Sequence, residues 1–245
     1  MKNYFITATD TDAGKTFVAC ALIQALIKAE HSVAAYKPVA AGCQQIDNEL
    51  VNEDAQLLSH FANCNQLISE VNPIALVDPI APHIAASKVS RAITIAEVTQ
   101  GFERVLANNA NINITEGAGG WRLPLSLQAN KTSYLSDFVK QTNQDVILVV
   151  NMKLGCLNHA LLTYQAIIAD GLNCVAWVAN SASEIPMSNF DENIASLEQL
   201  LPIPKIAQFD FLPETTMNLH EKICMAAQNI DLASLTLATS KEDKL

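Results

Sequence analysis

Thr7-Ala8-Thr9-Asp10-Thr11-Asp12-Ala13-Gly14-Lys15-Thr16 follows the strand-forming run Tyr4-Phe5-Ile6 and precedes an apolar-periodic run from Phe17 to Ile27. Strand, small hydroxyl-rich turn, Gly-Lys-Thr and helix, in that order, form the setting of a phosphate-binding loop. Free backbone N–H groups at the helix N-terminus point at an anion that the helix dipole also favours, and Lys15 brings a point charge to the β- and γ-phosphates. Thr16 can then offer its hydroxyl to Mg²⁺. The usual spacing G-x-x-x-x-G-K-[ST] asks for glycine where Thr9 stands. Gly-Lys-Thr alone also reads as a plain helix start with Lys15 solvated. The strand before it and the helix after it are what favour the loop.

Working outward, the chain has 245 residues, 50% hydrophobic, 6% aromatic and 16% charged. That balance suits a buried, mostly parallel α/β sheet. One domain over residues 1–235 with a polar, frayed tail over 236–245 is expected. The formal net charge of −10 argues against nucleic-acid or anionic-membrane partners. An anionic substrate must then be drawn by a local basic site. No apolar run is long enough to span a bilayer, and Met1-Lys2-Asn3 leads into a strand without a signal core, so a cytoplasmic protein is expected. Cys20, Cys43, Cys64, Cys156, Cys174 and Cys224 are dispersed without a C-x-x-C pair, which points to reduced thiols rather than a zinc site or disulfide framework.

Strand-like and helix-like runs then alternate. Ser32 to Tyr36 reads as a strand closed by Lys37-Pro38, followed by a small-residue loop, Val39 to Gly42. A lysine just past a strand lies on the edge where open α/β sheets collect ligands, although Lys37 taken singly is an ordinary exposed lysine. Gln44 to Glu53 is polar and irregular, and Asp54 opens a helix through Phe61, where it is equally a first-turn acid that the dipole favours. Pro73, Pro79 and Pro82 punctuate a long loop from Asn72 to Ser87, and Ile93 to Leu106 is amphipathic. Asn111 to Glu116 alternates and ends in Gly117-Ala118-Gly119-Gly120-Trp121, the pattern of a second metal-binding element that brings an acid beside Thr16. Buried strands follow at Asp145 to Val150 and Cys174 to Ala179. Helices are expected up to about Ala169, over Asn189 to Leu201 and over Leu219 to Ala227, with a last strand and loop from Ile206 to Leu212. The reading is a single doubly wound, mostly parallel sheet with helices on both faces, of the P-loop NTPase kind.

With these pieces placed, the sequence resembles the dethiobiotin synthetase family. The resemblance rests on Thr9-Asp10-Thr11 before Gly14-Lys15-Thr16, Tyr36-Lys37-Pro38-Val39, Asn72-Pro73 with Pro82-His83, Glu116 to Trp121, Lys153 to Ala160, and Trp177-Val178-Ala179-Asn180. It implies a homodimeric P-loop ligase of biotin biosynthesis with its active site at the subunit interface. Such an enzyme uses ATP, Mg²⁺ and CO₂ to close 7,8-diaminononanoate (diaminopelargonate) into the cyclic urea of dethiobiotin. One amine captures CO₂ as a carbamate, the carbamate attacks the γ-phosphate, and the second amine closes the ring and releases phosphate.

By the same resemblance, Lys15 and Lys37 are the catalytic cations, and Thr11 lines the reacting centre. Thr16, Asp54 and Glu116 hold Mg²⁺. Asp12, Ala13, Gly14, Lys15, Thr16 and Phe17 cradle the nucleotide, Gly117, Ala118 and Gly119 close against it, and Asn180 with Asp210, Phe211 and Leu212 receives the adenine. Ala41 and the turn Lys153, Leu154, Gly155, Cys156 and Asn158 take the substrate, the turn receiving its carboxylate from the partner subunit. Two positions depart from the family. Ala8 stands where a loop glycine is usual, which is tolerable only without positive φ. Ala41 stands where many members have serine, at a cost of about 0.5–1.5 kcal/mol of binding. Partitioning ATPases share this loop type and fold, but they typically carry a second lysine where this chain reads Ala8-Thr9-Asp10. Corrin ring ligases add a glutaminase domain, for which the chain has no room.

Overall fold

The computed structural model describes residues 1–47, 49–128, 131–185, 187–213 and 217–235. The expected tail over 236–245 lies outside them. Along the chain run β1 (Lys2–Ala8), α1 (Lys15–Lys28), β2 (Val33–Tyr36), β3 (Val39–Ala41), β4 (Gln44–Ile46), β5 (Glu49–Val51), α2 (Glu53–Phe61), α3 (Ile68–Val71), β6 (Ile74–Leu76), α4 (Pro82–Lys88) and α5 (Ile95–Leu106). They continue with β7 (Ile112–Glu116), β8 (Pro124–Gln128), β9 (Lys131–Tyr134), α6 (Leu135–Thr142), β10 (Asp145–Asn151), α7 (Cys156–Ala169), β11 (Cys174–Asn180), α8 (Phe190–Leu200), β12 (Lys205–Phe209) and α9 (Leu219–Ala226).

The central sheet has six strands in the order β12-β11-β10-β1-β7-β2, all parallel. Successive side chains of a strand face opposite ways, and β1 shows it: Phe5 joins one core layer while Tyr4, Ile6 and Ala8 join the other. The first layer packs under α5, α6, α7 and α8 around Phe102, Phe138 and Trp177. The second packs under α1, α2 and α9 around Leu22, Leu58 and Ile223. Helices therefore cover both faces, as a doubly wound sheet requires, and the strands read as nearly continuous apolar runs because both their faces are buried.

The structure differs from the sequence reading in four places. Val39 to Gly42, read as a small-residue loop, contains β3. Gln44 to Glu53, read as irregular, contains the β4–β5 hairpin, in which Gln44 to Ile46 are all exposed, so no buried face imposed an apolar alternation. The expected loop from Asn72 to Ser87 holds β6, paired in parallel with β3, and α4, which begins with Pro82 in its first turn, a position where the missing N–H costs nothing. The stretch after Trp121, unassigned from sequence, contains the antiparallel pair β8 and β9 and the helix α6.

Candidate active site

The candidate site gathers at the C-terminal ends of the parallel strands, where open α/β sheets bind ligands, with Asp54 added from the first turn of α2. β1 delivers the loop from Thr9 to Gly14, β2 delivers Lys37, β7 delivers Glu116, β11 delivers Asn180 and β12 delivers Asp210. They border a cavity of about 980 Å³, large enough for a nucleotide and a small acid. Thr11, Asp12, Gly14, Lys15, Thr16, Phe17, Lys37, Ala41, Asp54, Glu116, Ala118, Gly119, Asn180, Asp210, Phe211 and Leu212 all line it. Ala13 and Gly117 lie behind this wall. A methyl group on Gly117 would stand 2.8 Å from the Phe5 ring, which lets the turn pass close over β1.

The loop's unusual spacing has a physical account. Its left-handed residues are Asp12, at φ 57°, and Gly14, at φ 79°. Ala8 is the last residue of β1, paired with Val149 and wholly buried, so no glycine is needed there. Gly14 is needed. Besides its φ, a Cβ would stand 2.2 Å from Asn180 Nδ2, the atom that donates to the Ala13 carbonyl at 2.8 Å.

At the centre, Lys37 Nζ donates to Glu116 Oε1 at 2.5 Å and to Asp54 Oδ2 at 2.9 Å, and Thr16 Oγ1 donates to the same Glu116 oxygen at 2.9 Å. Asn72 accounts for the placing of Lys37, because its Nδ2 holds the Lys37 carbonyl at 2.7 Å. Burial works to discharge Lys37, but the Glu116 and Asp54 carboxylates outweigh it and hold its ammonium above the ordinary lysine value. Burial raises Glu116 above the usual carboxylate range, and Lys37 offsets only part of that rise. Burial alone would also raise Asp54, yet Lys37 beside it holds it low. Lys15, whose Nζ rests 3.4 Å from the Asp10 carbonyl, is lowered by burial.

Glu116 Oε2 is buried and accepts no hydrogen bond among the described residues. With Thr16 and Asp54 it makes a set of oxygen donors at the foot of the phosphate loop, the chemistry that Mg²⁺ prefers. Among the described residues no three His, Cys, Asp or Glu side chains cluster as a metal cage. The donor set suits a cation that also takes phosphate oxygens and water rather than one held by protein alone.

The turn from Lys153 to Asn158 does not border this chain's cavity. It stands at the end of β10, where Lys153 pairs with Asp10 and Asn151 Nδ2 lies 3.4 Å from Asp10 Oδ1. Leu154 is 94% exposed, Gly155 caps α7 at φ 95°, Cys156 is buried in its first turn and Asn158 is exposed. The cavity also takes in residues to which the sequence assigned no place in the site: Pro79 to Pro82, Leu123, Leu219 and Lys222. The prolines mark only a loop. The Asn218-x-x-Glu221 capping box marks where α9 begins but carries no sign that Lys222 turns inward.

A family profile described as AAA domain matches residues 2–218. The ATP-dependent dethiobiotin synthetase of Alteromonas mediterranea is 49% identical over 217 residues, spanning 86% of this chain and 93% of the relative. The chain belongs to the dethiobiotin synthetase family. Family members of the same name from Aeromonas salmonicida and Pseudoalteromonas translucida are 45% and 41% identical, over 86% and 88% of the chain and 92% of each relative. The P-loop fold is shared more widely than the family. A ParA family ATPase from Chlorobium tepidum covers 100% of this chain and 99% of its own with TM-score 0.53 and 13% identity. MinD from Aquifex aeolicus covers 100% and 98% with TM-score 0.53 and 12% identity. At such identities the likeness is one of fold alone.

Proposed function

We propose that this dethiobiotin synthetase carboxylates and cyclises 7,8-diaminononanoate at the expense of ATP, with Mg²⁺ and CO₂, as a homodimer. The observation that carries the reading is the convergence of Lys15, Lys37, Thr16, Asp54 and Glu116 in one cavity at the strand ends. A carbamate and a γ-phosphate are both anions, and their in-line approach needs fixed cations on either side. Lys37, held charged between two carboxylates, supplies one and Lys15 the other.

The reaction balances with these groups. One amine adds to CO₂, forming a C–N bond and releasing a proton. The carbamate oxygen then attacks the γ-phosphorus and ADP departs. The second amine attacks the carbonyl carbon and gives up a proton, the C–O bond to phosphate breaks, and the cyclic urea and phosphate leave. Lys15 bridges phosphate and carbamate, Lys37 offsets charge on the transferring group, and Thr11 with the backbone from Asp12 to Thr16 orients the phosphates. Thr16, Asp54 and Glu116 would hold Mg²⁺, which when bound screens the phosphate charge and orients the leaving oxygens. Asn180 and residues 210–212 take the adenine.

Dimerisation is supported by the turn from Lys153 to Asn158, which fits a substrate carboxylate through its backbone N–H groups yet stands outside its own chain's cavity. Leu154 in the turn and Leu162 further along α7 expose apolar side chains, 94% and 56% respectively, as residues covered by a second copy do. Cytoplasmic ATP and small acids suit this role. Among the described residues no helix is long and apolar enough to cross a membrane. The deciding experiment is ADP release measured with and without diamine and bicarbonate. The reading predicts release only when both are present, and nucleotide hydrolysis indifferent to the diamine would sink it.

A further inference from the structure

Residues 210–212, proposed above as the base wall, leave the sheet after β12. Among the described residues no backbone–backbone hydrogen bond holds them, the last being Ser181 N to the Phe209 carbonyl at 2.9 Å. One side chain does. Lys222 Nζ donates to the Leu212 carbonyl at 2.6 Å from across the cavity rim.

Lys222 is built for that reach. The Asn218–Glu221 capping box, with hydrogen bonds of 2.9 and 3.0 Å, fixes where α9 starts, and Ile223, wholly buried, packs α9 into the core layer of α1. Lys222 itself is 7% exposed and lines the cavity beside Asn180 and Asp210. Among the described residues no carboxylate stands within ion-pair distance of it. A buried ammonium compensated by one carbonyl is costly. Its place calls for a return, and among the described residues the polar group it grips belongs to the wall.

We propose that Lys222 is the positioning residue of the nucleotide-base wall. By fixing the Leu212 carbonyl it sets the course of residues 210–212 over the base, and with it the discrimination between bases whose six-position donates, as an amino group, and bases whose six-position accepts, as an oxo group. Main-chain carbonyls only accept, so a rigid row of them favours the amino purine, while a loose row turns to suit either. The inference rests on the reading of this cavity as a nucleotide site.

Equilibrium binding of ATP and ITP tests it, measured calorimetrically on the intact protein and on Lys222→Met and Lys222→Gln. Lys222→Met keeps the stem and removes the donor. It is expected to weaken ATP about tenfold, because the unpinned wall must be ordered when the base binds, to draw the ATP-to-ITP affinity ratio toward one, and to leave the KM for the diamine unchanged. Lys222→Gln, which keeps a neutral donor, should fall between it and the wild type. A generally loosened fold would instead weaken diamine and nucleotide together with the base preference intact, and that outcome overturns the proposal. So does an unchanged ATP affinity and base preference in both variants. Should Lys222→Met fail to fold, Lys222→Gln decides alone: an unaltered ATP-to-ITP ratio overturns, a reduced one supports. Wild-type protein that binds no ATP refutes the nucleotide reading itself, an outcome separate from wild type and variants binding alike.

Discussion

Thr16 Oγ1 donates to Glu116 Oε1 over 2.9 Å, although the two are 100 positions apart in the chain. This contact joins the first turn of α1 to the tip of β7, and among the described residues the other Glu116 oxygen is buried without a hydrogen-bond partner. From it follows the expectation for Glu116→Gln. Removing one hard anionic oxygen should raise the Mg²⁺ concentration needed for half-maximal turnover by at least about tenfold, the scale on which changes around metal sites act. Binding of ATP without metal should stay close to wild type. A Mg²⁺ titration of ADP release reads it, and an unmoved midpoint would remove Glu116 from the ligand set.

Lys37→Gln is expected to abolish turnover, with kcat lowered by at least about 10²-fold, as when a donor aimed at developing charge is lost. ATP binding should survive, because Lys15 and the loop backbone remain. The variant also strands the Glu116 carboxylate, at a cost of about 3–5 kcal/mol if it stays ionised. Glu116 already has a raised pKa, so the folded state takes up a proton there more readily than the unfolded chain does. The loss of stability should accordingly shrink as pH falls. Thermal melts at about pH 5 and about pH 8 make the comparison. An active variant, or an equal loss at both pH values, contradicts the roles given to the pair.

Leu162→Glu on the exposed face of α7 should yield monomers that bind ATP and show no diamine-dependent ADP release, because the proposed carboxylate-binding turn then has no neighbouring site to serve. Light scattering coupled to size exclusion gives the mass. A fully active monomer would place the whole site within one chain.

Asp170 should govern part of the acid limb of stability. Burial by itself would raise its pKa, but hydrogen bonds from Arg122 and Trp121, and the charges of Arg122 and Lys140, hold it below the ordinary value. A depressed folded pKa contributes stability at pH values above the unfolded one, about 3.9. That contribution is lost as pH falls through the folded value. Asp170→Asn should therefore lower Tm at neutral pH and flatten the decline of Tm in acid. A parallel downward shift of the whole curve would mean that packing, not charge, is what Asp170 provides.

The sequence disclosed the site well where chemistry is written in short, rigid patterns. Gly14-Lys15-Thr16 and Glu116-Gly117 are fixed by backbone demands that few residues meet, and the strands carrying them are buried on both faces, which makes them plain apolar runs. Legibility failed where burial gives no period. The β4–β5 hairpin is exposed along Gln44 to Ile46, and β6 with its neighbours is too short for a pattern to repeat. Lys222 escaped for a different reason: a lysine on an amphipathic helix looks the same in sequence whether it faces water or a cavity. Ala8 shows the converse case. It reads as a defect when set against a loop motif, and it becomes an ordinary strand residue once Asp12 and Gly14 are seen to carry the left-handed turns.

The placing of β1 has a bearing on how the chain is made. Its neighbours are β7 and β10, so Tyr4 pairs with Ile114 on one side and with Asp145 on the other. A ribosome adding about 5–20 residues per second therefore needs roughly 7–30 s after β1 emerges before its second neighbour exists. Through that interval an apolar strand and the unfinished phosphate loop remain without their sheet. Of the helices made in that interval, α1 packs on β1 and can shield one of its faces until β10 arrives.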